Sequence, residues 1–140
     1  MSEILQETKT SVVCVKPVGI AAQGTDPQAL PQLLAAQLGC EVYPVHRLDQ
    51  TVGGVMVFAR SRMADSLLSR QVQAHTFEKD YLAVLEGVPA QASGVLEDQL
   101  RRDTAARRTC VADAPGPDTR PARLSYRVLG EEDGLSLIHI

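Results

Sequence analysis

Two segments of the sequence carry apolar residues at helical spacing, and both lie in its first half. Residues 28–38 run up to Gly39, which suits a helix C-cap, and residues 61–74 begin at Ser61, which suits an N-cap. Strand-like segments bounded by glycine and proline turns make up most of the remainder. This order, β-α-β-β-α followed by further strands, predicts an α+β domain with a mixed, mostly antiparallel sheet flanked by helices.

The apolar pattern also gives the bounds of the expected elements. The inner face of the second helix is expected to carry Met63, Leu67, Leu68 and Val72. Strands are expected at residues 11–16, 42–45, 54–59, 77–87, 95–100, 108–112, 122–129 and 135–140. Since no repeat and no linker composition interrupts residues 11–140, we expect these residues to form one domain.

The composition is that of a soluble globular protein. Of the 140 residues, 44% are hydrophobic and 22% are charged, and no apolar run approaches the ~20 residues of a membrane helix. The acidic N-terminus lacks the basic start and apolar core of a signal peptide, so we expect a cytoplasmic protein. Cys14, Cys40 and Cys110 show neither zinc-ligand spacing nor a paired framework, so we expect free thiols and no metal site.

The net charge of -3 conceals a basic segment in the second half of the chain. Residues 101–127 hold seven arginines and three aspartates, whereas the residues on either side carry an excess of acids. A local arginine excess can contact phosphates even on an acidic protein, and it can equally belong to a solvated hairpin. The candidate phosphate contacts are Arg101, Arg102, Arg107 and Arg108.

Residues 46–49, with the sequence His-Arg-Leu-Asp, precede a glycine turn at residues 53–54 and then an apolar strand. An aspartate held between an arginine and a flexible turn can stay ionised and point into a cleft, which suits Asp49 to catalysis. The same aspartate can instead close the turn through hydrogen bonds between its side chain and the backbone. His46 suits a structural hydrogen-bonding role better than a catalytic one.

Three further segments accompany this signature. They are Val-Lys-Pro-Val-Gly-Ile at residues 15–20, Lys-Asp-Tyr-Leu-Ala at residues 79–83 and Pro-Ala-Arg-Leu-Ser-Tyr-Arg-Val at residues 121–128. The four segments, in this order, resemble motifs of the RluA-type RNA pseudouridine synthases. The resemblance spans residues 12–140, and it implies the catalytic fold of that family, with RNA as the partner and with neither a metal nor a redox cofactor.

The resemblance also implies roles for individual residues. Asp49 is expected to be the catalytic carboxylate that starts glycosidic cleavage, as a nucleophile or in another initiating role. Tyr81 is expected to stack on the flipped uracil and to share in proton removal at C5, and Arg47 to reach into the RNA that the base has left. The expected substrates are specific uridines in rRNA or tRNA. Without the resemblance, Tyr81 would suit a core position and Arg47 a surface ion pair.

The sequence departs from the family pattern in two places. Val52 and Gly53 occupy positions where the family commonly has threonine and serine. The family also has a later Gly-Arg-x-His-Gln segment, whose arginine pairs with the catalytic aspartate, and the sequence stops within the apolar strand at residues 135–140 that would lead to it. We therefore expect the N-terminal portion of a catalytic domain, poorly active and prone to aggregate by itself.

Two other functions stay open at this point. The chain can be a non-catalytic RNA-binding fragment that uses its arginine-rich segment. It can also be a sugar-processing hydrolase, which needs a second carboxylate beside Asp49. Asp80 is a poor candidate, because it alternates with Tyr81 along a strand and therefore points to the opposite face. We expect the strand at residues 77–87 to pair beside the strand at residues 54–59 and so to bring Tyr81 into the cleft of Asp49.

Overall fold

The strands of the computed structural model, which describes residues 1–140, divide into two sheets. One sheet and both helices lie in a first unit, residues 1–78, and the other sheet lies in a second unit, residues 79–140. The expected α+β class is confirmed. The sequence predicts a mixed sheet, whereas every strand pairing in the structure is antiparallel.

The first unit has a four-stranded sheet in the order β1-β2-β4-β3. Its elements are β1 (Glu3–Glu7), β2 (Ser11–Lys16), α1 (Leu30–Leu38), β3 (Tyr43–Pro44), β4 (Gly54–Ala59) and α2 (Arg62–Gln73). Strands β2 and β4 pair over their whole lengths, from Ser11 opposite Ala59 to Lys16 opposite Gly54. Strand β1 is absent from the sequence prediction, because it is a short and mostly exposed edge strand in which Ile4 alone packs against the core.

The core of the first unit lies between β2, β4 and α1. Alternate residues of β2 are buried, as expected for a strand with one face on a core. Leu30 and Leu34 of α1 pack there against Met56 and Phe58 of β4. One continuous apolar cluster therefore holds β2, β4 and α1 together.

Each helix has a cap at the residue that the sequence predicts. Gly39 closes α1 in the left-handed conformation, with a φ of 67°, and its N–H donates to the carbonyl of Ala35 at 2.9 Å. The hydroxyl oxygen of Ser61 accepts the N–H of Ala64 at 3.2 Å and so caps the start of α2. With nine and twelve residues, neither helix is long and apolar enough to cross a membrane.

The predicted inner face of α2 is wrong in half of its residues. Met63 and Leu67 are 75% and 55% exposed, respectively. Ala64 is buried instead, and Leu68 packs against the same cluster as Ala64, four residues further along. Since residues four apart lie on the same side of a helix, Ala64 and Leu68 share the packed face, and Met63 and Leu67, each one position earlier, are turned toward solvent.

The second unit is a five-stranded antiparallel sheet in the order β5-β9-β8-β6-β7. Its strands are β5 (Leu82–Glu86), β6 (Ser93–Asp103), β7 (Arg108–Ala112), β8 (Thr119–Glu132) and β9 (Leu135–His139). Strands β6 and β8 pair from Ser93 opposite Arg127 to Arg101 opposite Thr119 and form the centre of the sheet. Ser136 and Ile138 are the buried side chains of this unit.

The expected pairing of residues 77–87 with residues 54–59 is wrong. Strand β5 begins only at Leu82, after the charged run Glu-Lys-Asp at residues 78–80, and it pairs with β9. Strand β4 already has β2 on one side and β3 on the other. Strand β2 covers the whole of β4 on one side, and β3 covers Phe58 and Ala59 on the other. A further strand therefore cannot pair with β4 at these positions.

Candidate active site

Asp49 lies in the loop that connects β3 to β4. The carbonyl oxygen of Asp49 accepts the N–H of Val52 at 3.0 Å, and this bond closes a four-residue turn. The carboxylate makes no hydrogen bond or ion pair, and the side chain is exposed. The backbone alone therefore closes the turn, and the side chain of Asp49 takes no part in it.

The turn at residues 49–52 is bonded to the loop at residues 17–20. The N–H of Gly19 donates to the carbonyl of Gln50 at 2.7 Å, and the side-chain amide of Gln50 donates to the carbonyl of Gly19 at 2.8 Å. Gly19 has a φ of 90°, in the left-handed region that glycine tolerates best. The residue next to Asp49 is therefore held by a reciprocal pair of hydrogen bonds.

Lys16 lies beneath these two loops, and sequence reasoning assigned it no role. Its side chain is fully buried, and its ammonium donates to the carbonyls of Pro17 at 3.0 Å, Ile20 at 2.7 Å and Gln50 at 3.3 Å. Burial lowers the pKa of Lys16 below its ordinary value, and the carboxylate of Asp49 acts in the opposite direction. The signal in the sequence is a lysine that continues the buried alternation of β2 directly before a proline.

The glycines that follow the turn allow the two loops to lie close together. A Cβ atom at Gly53 would stand 3.3 Å from Cγ2 of Val18 and 3.4 Å from the carbonyl oxygen of Lys16. Gly54 has a φ of 152°, and a Cβ atom there would stand 3.4 Å from Cδ1 of Leu48. The departure from the family pattern at Gly53 therefore coincides with a tight approach of the 17–20 loop.

His46 has the structural role that the sequence predicts. Its Nε2 atom accepts the N–H of Val57 at 3.0 Å, so the ring ties the signature to β4. An Nε2 that accepts carries no proton, and the neutral ring then has its proton on Nδ1. The ring also lies 5.2 Å from the ring of Phe77. Arg47, the next residue, is exposed.

Tyr81 belongs to the second unit and stands just before β5. Its N–H and carbonyl pair with the carbonyl and N–H of Ile140, at 2.8 and 2.9 Å, and its side chain is 36% exposed. The carboxylate of Asp80 lies 3.1 Å from Nε2 of His139. Asp49 belongs to the first unit, so a shared cleft for Asp49 and Tyr81 stays a prediction.

The four candidate arginines lie on the hairpin formed by β6 and β7, and all are exposed. In this hairpin Arg101 is opposite Cys110, Arg102 is opposite Thr109, and Asp103 is opposite Arg108. Since side chains alternate along a strand and opposite residues share a face, Arg101 and Arg108 lie on one face and Arg102 on the other. Arg107 stands in the turn with a φ of 52°.

The structure contains no cluster of three or more histidine, cysteine, aspartate or glutamate side chains that could hold a metal ion. The three cysteines are free thiols, of which Cys14 is buried. The candidate site is thus composed of the Asp49 turn, the 17–20 loop and the buried Lys16 in the first unit.

Comparison with known proteins gives consistent matches. A family model described as RNA pseudouridylate synthase matches residues 10–140. An uncharacterized RNA pseudouridine synthase of Bacillus subtilis, YhcT, is 30% identical over an alignment of 146 positions, which covers 99% of this chain and 48% of that protein. A tRNA pseudouridine synthase C of Haemophilus influenzae is 37% identical over 92 residues, which cover 62% of this chain and 38% of that protein.

Two solved human structures share the fold. One, RNA Pseudouridylate Synthase Domain Containing 4, superposes with a TM-score of 0.79 at 23% identity and covers 98% of this chain and 57% of its own. The other, RNA Pseudouridylate Synthase Domain Containing 1, has a TM-score of 0.84 at 19% identity and covers 99% and 58%. The chain therefore spans less than half the length of the two curated relatives and somewhat more than half of the two solved chains.

Proposed function

Because the chain belongs to the RNA pseudouridylate synthase family, within its RluA type, we propose that it isomerises specific uridines in RNA to pseudouridine. The observation that carries the proposal is the presentation of Asp49. Its carboxylate is exposed on a turn that is closed by the backbone, bonded to a second loop and underlain by a buried ammonium. These contacts hold the backbone that carries the Asp49 carboxylate before substrate arrives, and a held backbone favours the preorganisation of a reactive group.

The reaction breaks the bond between C1′ of the ribose and N1 of uracil and forms a bond between C1′ and C5. The base loses its C5 proton and gains one at N1, so the product is an isomer and the balance needs no oxidant, reductant or metal. Asp49 acts at the start, either by attack on C1′ or in another role that initiates glycosidic cleavage. The target nucleotide leaves its stack before this step, at a cost of a few kcal/mol.

Tyr81 and Arg47 complete the proposed machinery. Tyr81 stacks on the flipped uracil, and its phenol shares in removal of the proton at C5. The exposed guanidinium of Arg47 reaches into the RNA near the position that the base has left, where stacking and phosphate contacts both suit arginine. Arg101 and Arg108, which are exposed on one face of the β6–β7 hairpin, contribute contacts to phosphates.

The substrate RNA is a ribosomal or a transfer RNA. Relatives named as tRNA pseudouridine synthases make tRNA the first class to test. Free thiols at Cys14, Cys40 and Cys110 support the proposal that the protein acts in a reducing compartment, the cytoplasm.

The activity is tested with unmodified tRNA and rRNA transcripts that carry tritium at C5 of uridine. Under single-turnover conditions the chain releases tritium, and Asp49→Asn releases none above background, while its affinity for RNA stays within about threefold of the wild type. Turnover retained by Asp49→Asn would refute the role of the aspartate.

The same experiment separates the second candidate function, a non-catalytic RNA-binding portion of such an enzyme. The exposed arginines of the β6–β7 hairpin are the observation that favours it. In that case the wild-type chain binds the transcripts with the usual salt dependence but releases no tritium.

A further inference from the structure

Arg123 and Glu97 form an ion pair between the two central strands of the second sheet. They stand opposite each other on β8 and β6, and Nε of Arg123 lies 2.8 Å from Oε1 of Glu97. We propose that Arg123 is a phosphate-binding residue and that Glu97 competes for it, holding Arg123 in the free protein and yielding it to a phosphate of RNA. This role rests on the RNA binding proposed above, and it adds a contact on β8 together with the group that regulates it.

The register places Arg123 on the face that carries Arg101. Arg101 is opposite Thr119 of β8, and Thr119 and Arg123 are four residues apart, so their side chains point to the same face. Arg127 is four residues further along β8 and shares this face. At the usual rise of a strand, Thr119 and Arg127 each stand about 13 Å from Arg123. Together with Arg108, these arginines form a stripe along one face of the sheet, and Arg123 lies within it.

Glu97 is the one acid that engages an arginine of this stripe. No ion pair involves Arg101, Arg108 or Arg127. The register also places Asp103 on this face, opposite Arg108, but the carboxylate of Asp103 accepts the N–H of Ala106 at 2.8 Å and so closes the turn of the hairpin. Turn closure accounts for Asp103, whereas the contact of the Glu97 carboxylate is its ion pair with the stripe.

The exposure of the ion pair allows the exchange. The side chains of Arg123 and Glu97 are 72% and 68% exposed, and an ion pair exposed to this degree adds little to stability, because water and salt screen it. A phosphate also offers the oxygens that a guanidinium binds through parallel N–H···O bonds. An RNA backbone along the stripe meets all of its positive charges, whereas Glu97 meets Arg123 alone. The RNA therefore displaces Glu97, and part of the binding free energy is lost in the displacement.

Equilibrium binding of tRNA transcripts at a series of salt concentrations tests this exchange in Glu97→Gln. We expect this variant to bind about three- to tenfold more tightly at low salt, because Arg123 is then free for the phosphate. We also expect a slope of log affinity against log salt concentration that is steeper by about 0.7, since no displaced carboxylate takes up a cation when the phosphate releases its counterion.

The matched control is Asp98→Asn. It removes the same charge at the next residue of β6, which is also exposed and points to the opposite face. We expect its affinity to stay within about twofold of the wild type. Equal gains in Glu97→Gln and Asp98→Asn would mean that net charge alone matters, and an unchanged affinity in Glu97→Gln would mean that Glu97 does not compete. Either result overturns the exchange.

Arg123→Ala, alone and combined with Glu97→Gln, separates exchange from direct repulsion of phosphates by Glu97. If Glu97 acts through Arg123, Glu97→Gln raises the affinity by less than about twofold once Arg123 is absent. A gain of the same size with and without Arg123 would make Glu97 a general repulsive charge and would overturn the exchange.

The Nε–H signal of Arg123 in 15N-arginine-labelled protein reports the exchange directly, and its loss in Arg123→Ala assigns it. In the free proteins this signal differs between the wild type and Glu97→Gln. In saturating RNA the two signals converge, because a phosphate has replaced the carboxylate in the wild type. A wild-type signal that stays at its free position in saturating RNA would show that Glu97 keeps Arg123.

None of these measurements depends on turnover. A chain that binds the transcripts and releases no tritium lacks the proposed isomerisation, while the affinities and the Nε–H signal still decide the role of Glu97. If neither the wild type nor Glu97→Gln binds any transcript, the phosphate-binding role of Arg123 is overturned.

Discussion

At the scale of single residues, the buried face of β2 joins stability to the candidate site. Cys14 and Lys16 are alternate residues of one strand, and both are fully buried. Cys14 belongs to the apolar core, whereas the ammonium of Lys16 donates hydrogen bonds to carbonyls of the 17–20 loop and of the Asp49 turn. A change in the core at Cys14 is therefore two residues from the lysine that bonds to the Asp49 turn.

The thiol of Cys14 makes the stability of the chain depend on pH. Burial raises the pKa of this thiol from 9.0 to about 11. The unfolded chain gives up the proton near pH 9.0 and the folded chain only near pH 11, so between these values the unfolded state binds fewer protons and stability falls as pH rises. We expect a loss on the order of 2 to 3 kcal/mol in this window, with the full contribution present below pH 9.

Urea unfolding at several pH values checks this expectation, with Cys14→Ala as the matched variant. The variant lacks the thiol and keeps Lys16, so the difference between the two proteins isolates Cys14. A stability difference that stays constant from pH 8 to 11 would contradict the expected role of the thiol.

At the scale of elements, the exposed faces of α2 and of the β6–β7 hairpin invite direct tests. Periodicity predicts the inner face of α2, but it does not show which neighbour the helix packs on, and the charge excess that selects the hairpin arginines does not show which face each arginine occupies. The structure corrects the phase of α2 and divides the arginines of the hairpin between two faces.

For α2 we expect Met63→Ala to change the free energy of unfolding by less than about 0.5 kcal/mol, since Met63 is exposed. Leu68→Ala is expected to cost about 1 to 3 kcal/mol, because Leu68 packs against the cluster around Ala64. Both changes introduce the same good helix former, so propensity is matched between them. Urea unfolding of the two variants measures the difference, and the opposite order would restore the inner face that the sequence predicts.

For the hairpin we expect RNA phosphates on the face that carries Arg101 and Arg108. Arg123 and Arg127 of β8 share this face by register, whereas Arg102 shares the opposite face with Arg120. The double change to alanine at 101 and 108 should reduce the slope of log affinity against log salt concentration by about 1.4, or about 0.7 for each phosphate contact. The matched double change at 102 and 120 should leave the slope unchanged.

Filter binding at a series of salt concentrations measures both slopes. Slopes equal to that of the wild type in both double variants would return the hairpin to the alternative interpretation, a solvated element without a role in RNA binding, and equal reductions would contradict the assignment to one face.

The elements that sequence reasoning predicted well are those with local signals. Gly39 and Ser61 end and begin their helices as expected, and the bounds of β2, β4 and β7 agree with the prediction. The partner of β5 could not be predicted, since pairing depends on which edges are already occupied. The role of Lys16 escaped because the carbonyls it binds at residues 20 and 50 converge only in the folded chain. The assignments of Asp49 and Tyr81 depend on the family resemblance and stay predictions.

At the scale of the whole molecule, the two units differ in how much apolar surface they bury. Of the buried hydrophobic side chains, Ile138 alone lies in the second unit, and the others belong to the first. Because protection from exchange follows burial and packing, we expect the amides of the β2–β4 ladder to exchange more slowly than those of the β6–β7 ladder, by more than about tenfold. Native-state hydrogen exchange measures both. Uniform protection across the chain would indicate that it opens as one cooperative unit.

The close approach at Gly53 has a consequence for the evolution of the family. Any side chain at position 53 must share its space with the methyl groups of Val18 and with the carbonyl of Lys16. The side-chain volumes at positions 18 and 53 are therefore expected to vary together. Among homologues, we expect a larger residue at position 53 to occur with a smaller residue at position 18, and an alignment in which the two positions vary independently would contradict this.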